Sequence, residues 1–468
     1  MASSSSSDAS RLANTIRKDL ADLPLVNPSA SIYKVPKELQ TGNEKYFTPK
    51  TVSIGPLHVE TQSSMHVIKT RYLNSFISRL PQGVLLEDVI RVLQGLEESA
   101  RGCYAENISL TCDEFIRLML IDGCFILQLL WRYGNKKEAD QGDPIFLKGR
   151  AKWAMLYNLQ QDLLLLENQL PFFVLFSLYE LILVQECNPR QALVDSVINF
   201  FDSIAPTKKL RPVTNVEPKH LLDLVMFSLF PRPSLEPDSL HGVNNPPESP
   251  LNVEALPKIG KSLENSVDID RVFLETSNHR ENSVDVRSAS ELDLSGVRFT
   301  KCIKENSYLN DITFRDGVLY VPTVVLLDST ASLFWNLLAL EQCSDSKEYG
   351  CVFISYISFM DNLICDNKDV EIFTRNDLLL SWVNDAKEFL LLFNHLALAA
   401  DMDGINEFSE ISRQLERYCR SNVHPLRAYI ARNYFEVRWD LMNTVMLFIF
   451  TVTQTIFAIL DYNRKGKK

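Results

Sequence analysis

Three groups of polar residues sit inside otherwise apolar stretches, and these are where chemistry could be done. Asp122-Gly123-Cys124 interrupts EFIRLMLIDGCFIL. Glu167-Asn168-Gln169 follows DLLLL, which opens at Asp162, and precedes Leu170-Pro171. Glu341-Gln342 closes NLLALEQ, with Asn336 more than one helical turn earlier. A carboxylate in such surroundings is costly unless it is paired or hydrogen-bonded, so each should have a partner. Arg101, at the end of a preceding helix, is the expected partner of Asp122 or Glu167. Two readings follow. Asp122 and Glu167 could form an acid/base pair in a pocket. Alternatively, the groups form a polar network that fixes helix register and satisfies carbonyls freed at Pro171. The second is favoured, because nothing else in the chain completes a catalytic set. There is no G-x-S-x-G elbow, no H-E-x-x-H, no phosphate-binding G-x-x-x-x-G-K-[ST] and no dinucleotide fingerprint. The expectation is therefore a protein that is not an enzyme and holds no cofactor or metal.

Helices must position these groups. Leu85, Val89, Val92, Leu93, Leu96 and Ala100 lie on one stripe of a helix over 85–101. Thr111 and Glu114 form a capping box opening the next helix, which is apolar almost all round and should be central. Residues 153–187 form another apolar stretch, broken at Pro171. Further helical patterns cover 191–204, 219–230, 332–343, 350–366, 384–401 and 405–420. Residues 31–58 read as extended. One β signal stands apart: the alternation over 311–315, then Asp316-Gly317, then VLYV predicts a hairpin with a type I′ turn.

The 468 residues carry 48 Lys+Arg against 59 Asp+Glu, a net charge of −11. That balance argues against nucleic-acid binding by phosphate neutralisation, and a mean hydropathy of −0.05 excludes many membrane spans. The nine cysteines form no C-x-x-C pair, which argues against a zinc site or disulfide framework. Asn107-Ile108-Ser109 is the sole sequon, a glycosylation site if this part faces out of the cytosol.

The composition divides the chain. Residues 1–30 are a Ser-rich tail, expected to be disordered, without a secretory signal. A helical domain occupies 31–230 and resumes over 297–438, with the hairpin near 311–321. Between them, 231–296 holds seven of the 21 prolines and twice as many acidic as basic residues, 12 against 6, and reads as a disordered insertion. Residues 441–460 carry no formal charge, and as a helix would span about 30 Å. Residues 461–468 form a basic tail. The expected fold is mainly α: one large helical domain, a small hairpin, and one C-terminal transmembrane helix. The expected location is a membrane, the plasma membrane, with orientation open because basic residues flank both ends of the run.

Motifs across the chain resemble the plant proteins containing domain of unknown function 247. They run in order: IYKVP (32–36), VSIGPLH (52–58), ARGCYAE (100–106), EFIRLMLIDGCFIL (114–127), DLLLLENQLPFFVL (162–175), HLLDL (220–224), SASELDLSGVRF (288–299), ITFRDGVLYVP (312–322), FWNLLALEQ (334–342), SYISFMDNLI (355–364) and NYF…TVTQTIF (433–457). Arg438-Trp439 replaces the family's Pro-Trp, and SSMHVIKTRYL lacks its Met-Glu, as in a diverged member. The resemblance implies a plant-specific, largely helical fold with a terminal span and no established catalysis. Some members lie in grass self-incompatibility loci, on the pollen side. The expected function is thus membrane-anchored, non-enzymatic recognition or signalling through a protein partner. The alternatives are an enzyme of unknown reaction using buried carboxylates, or a dimeric scaffold subunit; homo- or hetero-oligomers are among the expected partners.

Overall fold

The structure is a computed structural model that describes residues 11–17, 29–58, 63–135, 143, 145–146, 150–182, 188–231, 287–302, 307–344, 350–381, 386–400, 407–420 and 446–456. Residues 232–286 of the 231–296 insertion, the basic tail and the stem before 446 lie outside the described residues, whereas 287–296 are described and contain a short helix, contrary to the reading of 231–296 as wholly disordered. Of the N-terminal tail, residues 11–17 are helical.

The first half is built on helices α1 (Ser63–Ile77), α2 (Leu86–Gly102), α3 (Cys112–Gly134), α4 (Arg150–Asp162), α5 (Phe172–Ile182), α6 (Pro189–Phe201) and α7 (Leu221–Leu229). Helix α3 is the hub and packs against α1, α2, α5 and α6. Its sequence explains this: it is apolar over most of its circumference, with exposure mainly at its first turn and Arg117, so a central position hides it from water. Thr111 caps it, donating its backbone N–H to Glu114 and accepting from the Glu114 N–H in return. Gly123 permits the closest approach to α5, since a Cβ there would lie 2.5 Å from a Leu178 methyl.

The second half contains α8 (Ala289–Leu294), α9 (Asp328–Cys343), α10 (Val352–Leu363), α11 (Asn367–Arg375), α12 (Ala386–Ala399) and α13 (Ser409–Arg420). Helix α9 joins the halves. It packs on α10 and α12 and also on α4, and one apolar core runs through both halves. The strands are β1 (Arg298–Lys301), β2 (Thr313–Arg315), β3 (Val318–Val321), β4 (Val324–Leu326) and β5 (Leu379–Ser381). β1 runs parallel and β2 antiparallel to the central β3, while β4 and β5 form a separate parallel pair. Arg315 faces Val318 across the predicted turn, where Asp316 and Gly317 have φ of 51° and 75°.

Several expectations are corrected. The span over 441–460 is the largest. Only 446–456 of it is described; these residues are helical, and no helix among the described residues is long and apolar enough to cross a membrane. Eleven residues reach roughly 16 Å, about half the hydrocarbon thickness. The pattern at 350–366 stands as the single helix α10, and α11 starts just beyond it, where Asp366 caps by accepting the Lys368 and Asp369 N–H groups. The break in 153–187 begins at Leu163, well before Pro171. Leu85 is exposed rather than part of the buried stripe of α2. The extended stretch over 31–58 contains short turns of helix at Lys37–Gln40, Glu44–Tyr46 and Pro56–His58.

Candidate functional site

An extended backbone outside a sheet must find partners for its N–H groups elsewhere. Residues 50–55 do so through side chains. The Asp162 carboxylate accepts the N–H groups of Lys50 (2.8 Å), Thr51 (2.6 Å) and Val52 (2.8 Å). Asn168 Oδ1 accepts from Ile54 N at 2.6 Å, and Asp122 Oδ2 from Gly55 N at 2.9 Å. Asn168 Nδ2 donates to the Val52 and Asp162 carbonyls, locking the two segments together. Three of the sequence-selected groups thus meet on one strand-like segment. Burial pushes the Asp162 and Asp122 carboxyls above their usual range, and the N–H donors oppose that shift.

The rest of the 167–171 segment continues this pattern. Glu167 Oε1 accepts from Val35 N (2.8 Å) and Gln40 Nε2 (3.0 Å), and its Oε2 lies 3.3 Å from His58 Nε2. Gln169 Nε2 donates to the Leu163 and Leu165 carbonyls at 2.8 Å, bridging the loop that begins where α4 ends. The Gln169 carbonyl accepts the Tyr104 hydroxyl at 3.1 Å. Gly55 (φ 72°) passes so close that a Cβ would sit 2.6 Å from that same carbonyl. Pro171 follows, and its carbonyl accepts the Val174 N–H in the first turn of α5.

In the second half, Asn336 Oδ1 accepts from Leu166 N and its Nδ2 donates to the Tyr46 carbonyl, both at 2.8 Å. Glu341 accepts the Phe353 (3.0 Å) and Ile354 (2.7 Å) N–H groups at the start of α10. Its carboxyl is pushed up to about 7 by burial, against those two donors. Gln342 donates to the Ala399 carbonyl at the end of α12.

Arg101 is not the partner of Asp122 or Glu167. It pairs with Glu97 one turn back on α2 and donates to the Ile108, Leu110 and Thr111 carbonyls, with its guanidinium over the Phe115 ring. The partner of Asp122 is Lys69 on α1, at 2.5 Å, with 1% of the aspartate side chain and 12% of the lysine exposed. Lys69 Nζ also donates to the Ser53 carbonyl. This pair forms part of the wall of a cavity of about 320 Å³, lined also by Gly55, His66, Glu114, Arg117 and the apolar Met65, Leu110, Leu118 and Ile121. Cys124 is fully buried, and burial drives its thiol far above the usual range, so it packs as an apolar residue. Asn107 is exposed in a loop.

Sequence reasoning missed three further buried groups. Arg132 pairs with Asp143 at 2.8 Å, and Tyr72 donates its hydroxyl to the same carboxylate. His220 Nδ1 accepts the Asp223 N–H, which places the imidazole proton on Nε2, 3.0 Å from the Ser31 carbonyl; burial lowers its pKa to about 3. Asp369 accepts N–H groups from Ser290, Cys365 and Asp366. Only the HLLDL motif carried a signal for any of these.

The sequence profile of a plant protein family of unknown function, domain 247, matches residues 32–453. UPF0481 protein At3g47200 of Arabidopsis thaliana is 29% identical over 459 residues, covering 94% of this chain and 88% of that protein. The putative UPF0481 protein At3g02645 of the same plant is 21% identical, covering 94% and 92%. No solved structure matches the chain. The profile takes in every motif built into the polar network, and the chain belongs to the plant family defined by domain of unknown function 247.

Proposed function

We propose that this protein is a non-catalytic recognition protein, whose rigid helical body contacts a protein partner at a membrane surface. The observation that carries the reading is how the buried acids are used. Asp122, Asp162, Glu167 and Glu341 each accept at least two hydrogen bonds, from backbone N–H groups or from the Lys69 and Gln40 side chains. Carboxylates bound in this way fix geometry rather than relay protons. Asp122 and Glu167 serve different stretches of backbone, which weakens the acid/base alternative.

Membrane contact is supported by residues 446–456, where Met446, Leu447, Phe448, Ile449, Phe450, Val452 and Ile456 are 42–69% exposed. Apolar side chains exposed together mark a contact surface. The attachment rests on that apolar contact and does not call on a bilayer-spanning helix.

Crosslinking mass spectrometry on fractionated plant cells expressing the full chain tests the reading. The chain should sediment with membranes, and crosslinks to a second protein should map to the helical body. A chain that stays in the supernatant and crosslinks only to itself would overturn it.

A further inference from the structure

The cavity beside Lys69 has a donor surplus that the polar network does not use. Lys69 has three N–H donors; Asp122 and the Ser53 carbonyl take two, both at 2.5 Å. Arg117, exposed on α3, makes no hydrogen bond or ion pair among the described residues, while the exposed His66 interacts electrostatically with Asp122. The two carboxylates of the wall are already engaged. Asp122 holds Lys69 and Gly55 N, and Glu114 Oε2 accepts from both the N–H and the hydroxyl of Thr111. The wall therefore offers one further Lys69 donor and the Arg117 guanidinium, while Asp122 and Oε2 of Glu114 are already engaged. The rest of the wall is apolar: Met65, Leu110, Leu118 and Ile121.

We propose that this cavity binds a small organic anion with an apolar body. The anionic group would be met by Arg117 and Lys69, and the body would pack on Leu118 and Ile121. A volume of about 320 Å³ falls at the small end of the range of roughly 300–1,000 Å³ for small-molecule sites. The Arg117 guanidinium, unpaired among the described residues and set beside the largely buried Lys69 ammonium and apolar walls, favours an anion over a neutral molecule, because a charge-assisted hydrogen bond in a partly dry site is stronger than a neutral one. The proposal goes beyond the reading of the previous subsection and stands independently of any protein partner.

Isothermal titration of the full chain with 4-phenylbutyrate, phenyl phosphate and the neutral 4-phenylbutanol tests it. At least one of the two anions should bind saturably at one site, and the alcohol about tenfold or more weakly. Tighter binding of one anion assigns the head group as carboxylate or phosphate. Arg117→Gln, at an exposed position that leaves the fold intact, should weaken anion binding by about tenfold; Leu118→Trp should abolish it by filling the space. Absence of saturable binding by both anions, equal binding of the alcohol, or unchanged affinity in Arg117→Gln would overturn the proposal.

Discussion

The Asn336 amide donates to the Tyr46 carbonyl at 2.8 Å, across 290 positions of chain. With Leu166 N on its other end, this one side chain ties α9 of the second half to two loops of the first. Asn336→Ala would leave the buried Leu166 N–H unsatisfied, while the Tyr46 carbonyl keeps the Ser332 hydroxyl. It should cost about 1–3 kcal/mol, read as a lower urea midpoint of the full chain with an unchanged slope.

Gly55 and Gly42 share a left-handed backbone, with φ of 72° and 80°. Only at Gly55 would a Cβ collide, at 2.6 Å from the Gln169 carbonyl, whereas Gly42 has nothing within 4 Å. Gly42→Ala should therefore cost only the conformational penalty of about 1–2 kcal/mol. Gly55→Ala should cost at least about 2 kcal/mol more. Thermal unfolding of the two variants side by side separates the terms.

Lys69 and Asp122 should behave as a coupled pair. Lys69→Met leaves a buried carboxylate without its cation and should cost about 3–5 kcal/mol. Removing the charge as well, in Lys69→Met/Asp122→Leu, should recover part of that loss. The Gly55 N–H, orphaned in the double variant, keeps the recovery incomplete. A double-mutant cycle by urea unfolding measures the coupling.

His220 sets a pH dependence with a definite sign. Its pKa is about 3 in the folded chain against 6.5 for the free side chain. The unfolded chain therefore binds a proton in that window and the folded chain does not. Stability from this group is complete above pH 6.5 and is lost as the pH falls toward 3, by at most about 1.4 kcal/mol per pH unit. Glu341 works in the opposite sense: raised from 4.5 to about 7, its contribution is complete below 4.5 and lost as the pH rises through 7. The difference between His220→Gln and the parent isolates one group. The penalty of the variant should shrink steadily as unfolding is repeated from pH 6.5 down to 4.5. A penalty independent of pH would contradict the assignment.

What was legible in the sequence is what local spacing encodes. The Thr111/Glu114 cap, the largely apolar α3 and the Asp316-Gly317 turn depend on residues within a few positions of each other, and all stand in the structure. The polar character of the 162–171 segment was legible too, but its target was not. Asp162 reaches back 110 positions to Val52, and Asp122 reaches back 53 to Lys69. No periodicity records such distances. Arg101, at the end of the preceding helix, is spent instead on carbonyls of the following loop. The uncharged run at 441–460 shows the converse: composition without charge fits a span, yet the described helix covers 446–456 alone.

The central claim is that buried side chains stand in for a strand partner along 50–55. Hydrogen exchange of the full chain, read on peptides covering these residues, tests it directly. The Lys50, Thr51 and Val52 amides should be protected to nearly the level of the α3 core, although no helix or sheet holds them. Asp162→Ala should release them selectively while α3 stays protected. Exchange at the rate of an open chain in the parent protein, or protection indifferent to Asp162→Ala, would contradict the account.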